Sequence, residues 1–140
     1  KPKDAEFIKS NLQNKEMRRA LYVSAEQDRV NQAVKAIKKG SIKDLGALIL
    51  KTHDGLSKLY EVSTAELDIL VEEAMNMDGV MGVCMIGTGF GGGVLMFLKK
   101  TEVENVIENL YAKYKEKTRR DADVYIVKPS NGTRILPIEE

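Results

Sequence analysis

The residues best placed to do chemistry are Met85-Ile86-Gly87-Thr88-Gly89-Phe90-Gly91-Gly92-Gly93, where five glycines fall within seven positions. Glycine at that density costs backbone entropy, so a chain keeps it where φ must be positive or another body must come close. Loops of this kind turn successive backbone N–H groups toward one point and suit an anion, most often a phosphate. The bland alternative is a tight connection between strands that binds nothing. Gly87-x-Gly89-x-x-Gly92 also satisfies the dinucleotide fingerprint, which requires a helix to start at the loop and face the pyrophosphate. Here Val94-Leu95-Met96-Phe97-Leu98 follows instead, a strand-like run that mirrors Val80-Met81-Gly82-Val83-Cys84-Met85-Ile86 on the entry side. The device is strand, glycine loop, strand, and the dinucleotide reading is rejected.

Other chemical candidates are weaker. His53 is the sole histidine, and with no Cys/His cluster beside it a structural hydrogen-bonding role outweighs that of a base or ligand. Cys84 is a small core residue without a neighbouring base or cation in sequence. Glu66, Asp68, Glu72 and Glu73 invite a metal, but at helical spacing they spread around the axis and read as a solvated acidic face. Arg18, Arg19, Glu26, Asp28 and Arg29 read as a solvated helix face as well. Lys113, Lys115, Lys117, Arg119 and Arg120 suit the carbonyl end of a helix dipole, and no aromatic interleaves them for base stacking.

These residues need elements to carry them. Residues 1–16 form a polar lead-in, with a short helix expected near Ala5–Leu12. A long helix runs from Met17, with Val23, Val30, Val34 and Ile37 on one stripe, and closes at Lys38-Lys39-Gly40. Ser41 opens a second helix with Ile42, Leu45, Leu48, Ile49 and Leu56 as its apolar side. Ser63 and Glu66 predict a capping box, with Val62 stapled to Leu67, for a third helix whose buried stripe is Leu67, Leu70, Val71, Ala74 and Met75. Asp78-Gly79 turns into the first strand, residues 80–87, and the loop leads to a second, residues 93–98. Thr101 and Glu104 predict another capping box, for a helix with Val103, Val106, Ile107, Leu110, Tyr111 and Tyr114 on one side. A third strand at 123–128 and a fourth at 133–136, joined by Ser130-Asn131-Gly132, complete the pattern. The fold class is α+β: an antiparallel four-stranded sheet with helices packed on it, ferredoxin-like, and with the helices that begin near residues 64 and 102 facing the sheet.

At 140 residues the chain holds one domain with one core, and 43% hydrophobic with 31% charged residues is ordinary globular composition. A net charge of +1 makes no field to draw nucleic acid or a membrane surface. One cysteine forms no internal disulfide, and no apolar run has the length of a membrane span, so a cytoplasmic location is expected. No signal peptide is visible, and Lys1 in place of methionine makes that a weak guide to the natural N-terminus.

The glycine stretch resembles the third, C-terminal motif of the GHMP small-molecule kinases. The upstream run His53-Asp54-Gly55-Leu56-Ser57-Lys58-Leu59-Tyr60-Glu61-Val62-Ser63-Thr64-Ala65-Glu66-Leu67-Asp68 is similar to galactokinases in particular, and the likeness extends from Met17 to Leu136. The resemblance implies that residues 17–140 are a GHMP kinase C-terminal domain of the α+β type above. It implies a parent that transfers the γ-phosphate of ATP to the anomeric hydroxyl of galactose. Gly87, Thr88, Gly89, Phe90, Gly91 and Gly92 would then press against the nucleotide phosphates. ATP and Mg2+ would be held mainly by the parent's N-terminal kinase domain, which also brings the sugar clamp and catalytic carboxylate. The partners implied are galactose and that domain, with no catalytic residue, nucleic-acid site or membrane contact in these residues. This chain alone is expected to be inactive. Cys84, Ile86 and Gly93 depart from the Arg, Thr and Cys usual in galactokinases. Those departures keep a non-catalytic sugar and ATP sensor open, beside an unrelated ferredoxin-like ligand-binding module.

Overall fold

The computed structural model describes residues 14–133 together with Glu6; the helix expected near Ala5–Leu12 lies outside the described residues, Glu6 apart. Helix α1 spans Asn14–Lys38 and helix α2 Ile42–Gly55, followed by a π-helical turn, Leu56–Tyr60. Helix α3 is Ala65–Met75, strands β1 and β2 are Val80–Ile86 and Gly93–Leu98, and a 3-10 turn, Lys100–Glu102, leads into helix α4, Val103–Thr118. Gly40, at φ +67°, makes the left-handed turn out of α1, and Ser41 caps α2 by accepting from the Asp44 N–H. Both breaks fall where the sequence puts them.

β1 and β2 pair antiparallel from Val80↔Leu98 to Ile86↔Gly93, with one irregularity between Val80 and Gly82. The four-stranded sheet is not found: among the described residues the sheet has two strands. Residues 123–128 leave α4 without pairing, and Tyr125 is 79% exposed. Val124-Tyr125-Ile126-Val127 has the composition of a strand, but β propensity needs a ladder partner before it becomes structure. The ferredoxin-like crossover goes with it. Of the proposed fourth strand, Thr133 lies outside any strand and residues 134–136 lie outside the described residues.

Helix α2 lies against the side of β1 that β2 leaves open. The contact is backbone to backbone: a Cβ on Gly46 would sit 1.7 Å from the Met81 carbonyl oxygen, and one on Gly82 would sit 2.8 Å from Gly46 Cα. Helix α3 covers the sheet, and α4 packs chiefly on α3, reaching the sheet's core through Leu110. The main core joins Val71 and Ala74 of α3, Val83 of β1 and Leu110 of α4; a second joins Val62, Leu67 and Met85. The stripe read on α3 is thereby found, and α4 buries Val106, Leu110 and Tyr114 from its own.

Three local expectations are corrected. Helix α3 is capped by Thr64, which accepts from the Leu67 N–H, one residue later than a Ser63 box requires; Ser63 donates to Asp68 instead. Helix α4 starts from the 3-10 turn with Glu102 at its cap and no side-chain cap bond, so the Thr101–Glu104 box is absent. Glu73 is not on a solvated face: it is 6% exposed and paired with Lys113 and Lys117, which joins α3 to α4.

The largest reversal is on α1. Its apolar stripe points outward, with Val23, Val30, Val34 and Ile37 exposed, Ile37 to 62%. What the helix buries is Tyr22 and Ala36, and its polar residues add contacts of their own. Arg18 donates to Glu61, Arg19 donates to the Tyr60 carbonyl, and Glu26 accepts from Thr52 and pairs with Arg29.

Candidate functional site

Five of the six residues from Gly87 to Gly92 have φ between +60° and +133°. Gly91, at +133°, lies where side-chain-bearing residues are strongly disfavoured, which accounts for glycine there. Phe90 has no such freedom, yet it sits at φ +60° and the residue is 75% exposed. A bulky residue held left-handed, with nothing burying its ring, is the kind of strained position that gathers at ligand sites.

The loop has a packed side and an open side. On the packed side the Phe90 N–H donates to the Val62 carbonyl at 2.7 Å, and a Cβ on Gly89 would fall 2.3 Å from that same oxygen. Here glycine is required because two backbones meet. On the open side, a Cβ on Gly87, Gly91 or Gly93 would meet no atom of the described residues within 4 Å. Thr88 is exposed and outside the positive-φ region. The six residues singled out in the sequence therefore form one continuous loop, open on one side. The structure directs the Phe90 amide inward, which leaves its ring free on the outside.

Behind the loop stands a frame that the sequence does not advertise. Val62 donates its N–H to the Leu56 carbonyl across the π-helical turn, and Glu61 closes that turn at φ +60°. From α1, Arg18 bonds the Glu61 carboxylate at 2.8 Å, holding its carboxyl below the usual carboxylate range, and Lys15 lies at 3.5 Å. Arg19 donates to the Tyr60 carbonyl and lies over the Tyr60 ring, which packs against Tyr22. The polar face of α1 thus fixes the segment whose carbonyl holds the loop.

His53, 4% exposed, bridges from α2. Its Nδ1 accepts from the Met85 N–H at 3.4 Å, and its Nε2 is 3.2 Å from Asp68 Oδ1. Asp68 also accepts from Ser57 and Ser63. Burial pushes His53 below its ordinary pKa, against the opposing pull of Asp68. An Nδ1 that accepts from an amide bears no proton, so the ring is neutral with its N–H directed at Asp68. The structural role expected for His53 is what the geometry shows. The sequence reading gives Ser63 to a helix cap and Asp68 to a solvated acidic face and passes over Ser57, because no fixed spacing marks the network they form. The Val62 carbonyl, being main chain, leaves no sequence signal at all.

Cys84 is half-buried, and burial, with the Glu26 carboxylate adding to it, pushes its thiol up to about 11, which suits a core residue and not a nucleophile. Among the described residues no group of three or more His, Cys, Asp or Glu is arranged to hold a metal ion. The basic tail of α4 is engaged locally: Lys113 and Lys117 on Glu73, Lys115 on Asp121, Arg120 on Glu66. No described helix is long and apolar enough to cross a membrane.

Residues 33–116 match the model of the family described as GHMP kinases C terminal. A galactokinase of Limosilactobacillus reuteri (strain DSM 20016) is 38% identical over 120 residues, covering 86% of this chain and 31% of the relative. One from Thermotoga neapolitana (strain ATCC 49049) is 34% identical over 117 residues, covering 84% and 33%. The crystal structure of Lactococcus lactis galactokinase complexed with galactose superposes with a TM-score of 0.81 at 30% identity, over 86% of this chain and 32% of that one. The chain spans about a third of the length of these relatives. With a matched segment that contains α2, α3, both strands and the whole glycine loop, the chain belongs to the GHMP kinases, as their C-terminal domain.

Proposed function

We propose that this chain is the C-terminal part of an ATP-dependent galactokinase, which phosphorylates the anomeric hydroxyl of galactose. Its contribution is the loop Gly87–Gly92, set beside the nucleotide phosphates. The observation that carries the reading is the loop's two-sidedness: a left-handed backbone clamped to Val62 on one side and, among the described residues, uncovered at Gly87, Gly91 and Gly93 on the other. A backbone fixed in advance can approach a phosphate closely and keeps its geometry as charge shifts, which is how positioning assists phosphoryl transfer.

ATP supplies the phosphoryl group, and the open face of Gly87, Thr88 and Gly91 fits its phosphates. For Mg2+ the described residues offer no converging carboxylates, so no step is assigned to that ion here. The sugar clamp, the base and the main phosphate loop belong to the rest of the parent, an N-terminal kinase domain that works in the cytoplasm. One observation favours the non-catalytic sensor as a second reading. Ile86, at the root of the loop, is half exposed and offers neither charge nor hydroxyl to a substrate.

The test is a titration of the 140-residue chain with MgATP, followed by amide NMR. We expect weak binding, with shifts concentrated at Gly87–Gly92, and no galactose-dependent ATP consumption. Shifts elsewhere with a silent loop would refute the site, and turnover by this chain alone would refute the half-site.

A further inference from the structure

Between α2 and the end of β1 lies a buried titratable group that the reading above leaves unused. His53 accepts the Met85 N–H two residues before Gly87, on the side of β1 away from β2. Its other nitrogen faces Asp68, and Ser63, the neighbour of Val62, bonds to the same Asp68 oxygen. Val62 in turn bonds Phe90. One imidazole therefore reaches both anchors of the glycine loop: its entry strand directly, and its backing carbonyl through Asp68 and Ser63.

We propose that neutral His53 is the positioning residue of the glycine loop, and that a proton on its Nδ1 releases β1's end and with it the loop. This rests on the loop being the phosphate-facing element, and it adds a control to it. The physical reason is donor against donor. Protonated Nδ1 would carry an N–H toward the Met85 N–H, leaving a buried amide without an acceptor.

The groups acting on His53 are Asp68 from α3, Asp54 on α2 itself and Lys58 from the π-helical turn. From β1 the nearest titratable side chain in sequence, Cys84, is neutral at these pH values because burial holds its thiol up. Asp68 and Asp54 favour the cation, while burial and Lys58 oppose it, and burial is the largest influence. For a base lowered on folding, the stabilising contribution is complete above its ordinary value of about 6.5 and is lost as pH falls below it. The loop is accordingly held at neutral pH and loosened in mild acid.

Because the chain has a single histidine, its imidazole signals need no further assignment. The test is imidazole 15N NMR together with amide exchange of Met85 and Gly87–Gly92, in the 140-residue chain, at neutral and mildly acidic pH. We expect the Nε2–H tautomer at neutral pH, and protection at Met85 and Phe90 falling by about tenfold as His53 titrates. His53→Asn, which keeps an acceptor near Nδ1, should retain the protection without the pH dependence; His53→Gln, which reaches toward Asp68 instead, should lose it.

An Nδ1–H tautomer, or loop protection that ignores His53 titration, overturns the proposal, and neither measurement needs a variant to fold. MgATP separates the two readings. If pH works the loop through His53 while MgATP moves no loop signal, the positioning stands and the phosphate site fails.

Discussion

The Phe90 N–H donates to the Val62 carbonyl at 2.7 Å, and Gly89 has no room for a side chain because it lies against that same oxygen. The loop is held by the segment after the π-helical turn as much as by its own strands.

Gly89→Ala should therefore act first on stability. The added Cβ meets the Val62 oxygen at 2.3 Å and must adopt φ +89°. Strain of that kind is worth about 1–3 kcal/mol. Thermal unfolding of the chain should show the loss. A variant as stable as the parent would mean that the loop does not rest on Val62. Because folding and ligand contact both suffer, no substitution at Gly89 separates a connector from a phosphate site.

Thr88→Glu does separate them. Thr88 is exposed and its backbone is unstrained, so the melting temperature should stay within about a degree or two, as for a surface substitution. A carboxylate beside phosphates is repelled by about 1–4 kcal/mol at close range, so MgATP affinity should drop about tenfold or more. Unchanged affinity, read in the same titration, would put the phosphates elsewhere.

Gly46→Ala probes the frame. Its Cβ would lie 1.7 Å from the Met81 oxygen, so α2 must move off β1. Overpacking usually costs about 1–3 kcal/mol, and a backbone clash leaves little to yield, so the upper end is expected. Denaturant unfolding reads this directly. Loss of Met85 amide protection should accompany it, since His53 travels with α2.

Glu73 sets an acid limit. Hydrogen bonds from Lys117 and then Lys113 hold its carboxyl below the ordinary carboxylate range. A group lowered in this way stabilises the fold above its unfolded value, about 4.3, and that contribution is lost as pH falls through its folded value. Both lysines are about half exposed, so solvent weakens the effect. Glu73→Gln should lower the melting temperature at pH 7 and flatten its decline below pH 4. A variant whose melting curve still falls as steeply in acid would assign that limit to other carboxylates.

The glycine loop, both flanking strands and the four described helices were legible in the sequence, because glycine density and hydrophobic period act locally. On α1 the period located a stripe at Val23, Val30, Val34 and Ile37 but not the direction it faces. Arg18, Arg19 and Glu26 looked solvated, yet long polar side chains can cover a neighbour with their stems and bond with their tips. Residues 123–128 show the opposite failure: the composition of a strand with no ladder partner among the described residues. The Ser63 box missed by one residue, since Thr64 offers the same hydroxyl and Asp68 draws Ser63 away. The His53 network stayed hidden because it joins positions 15 and 32 residues apart that meet only in the fold.

The π-helical turn Leu56–Tyr60 sits between His53 and Val62, the two residues from which the loop hangs. Each residue of an α-helix advances the chain by about 100°. Removing one residue from this turn would let the helix wind regularly while swinging Val62 out of phase with His53. A substitution within Leu56–Tyr60 removes single contacts, such as the packing of Tyr60 on Tyr22 or the bond from Ser57 to Asp68, whereas a single-codon deletion there would disconnect the loop, so the spacing of this stretch carries a function of its own beside its side chains.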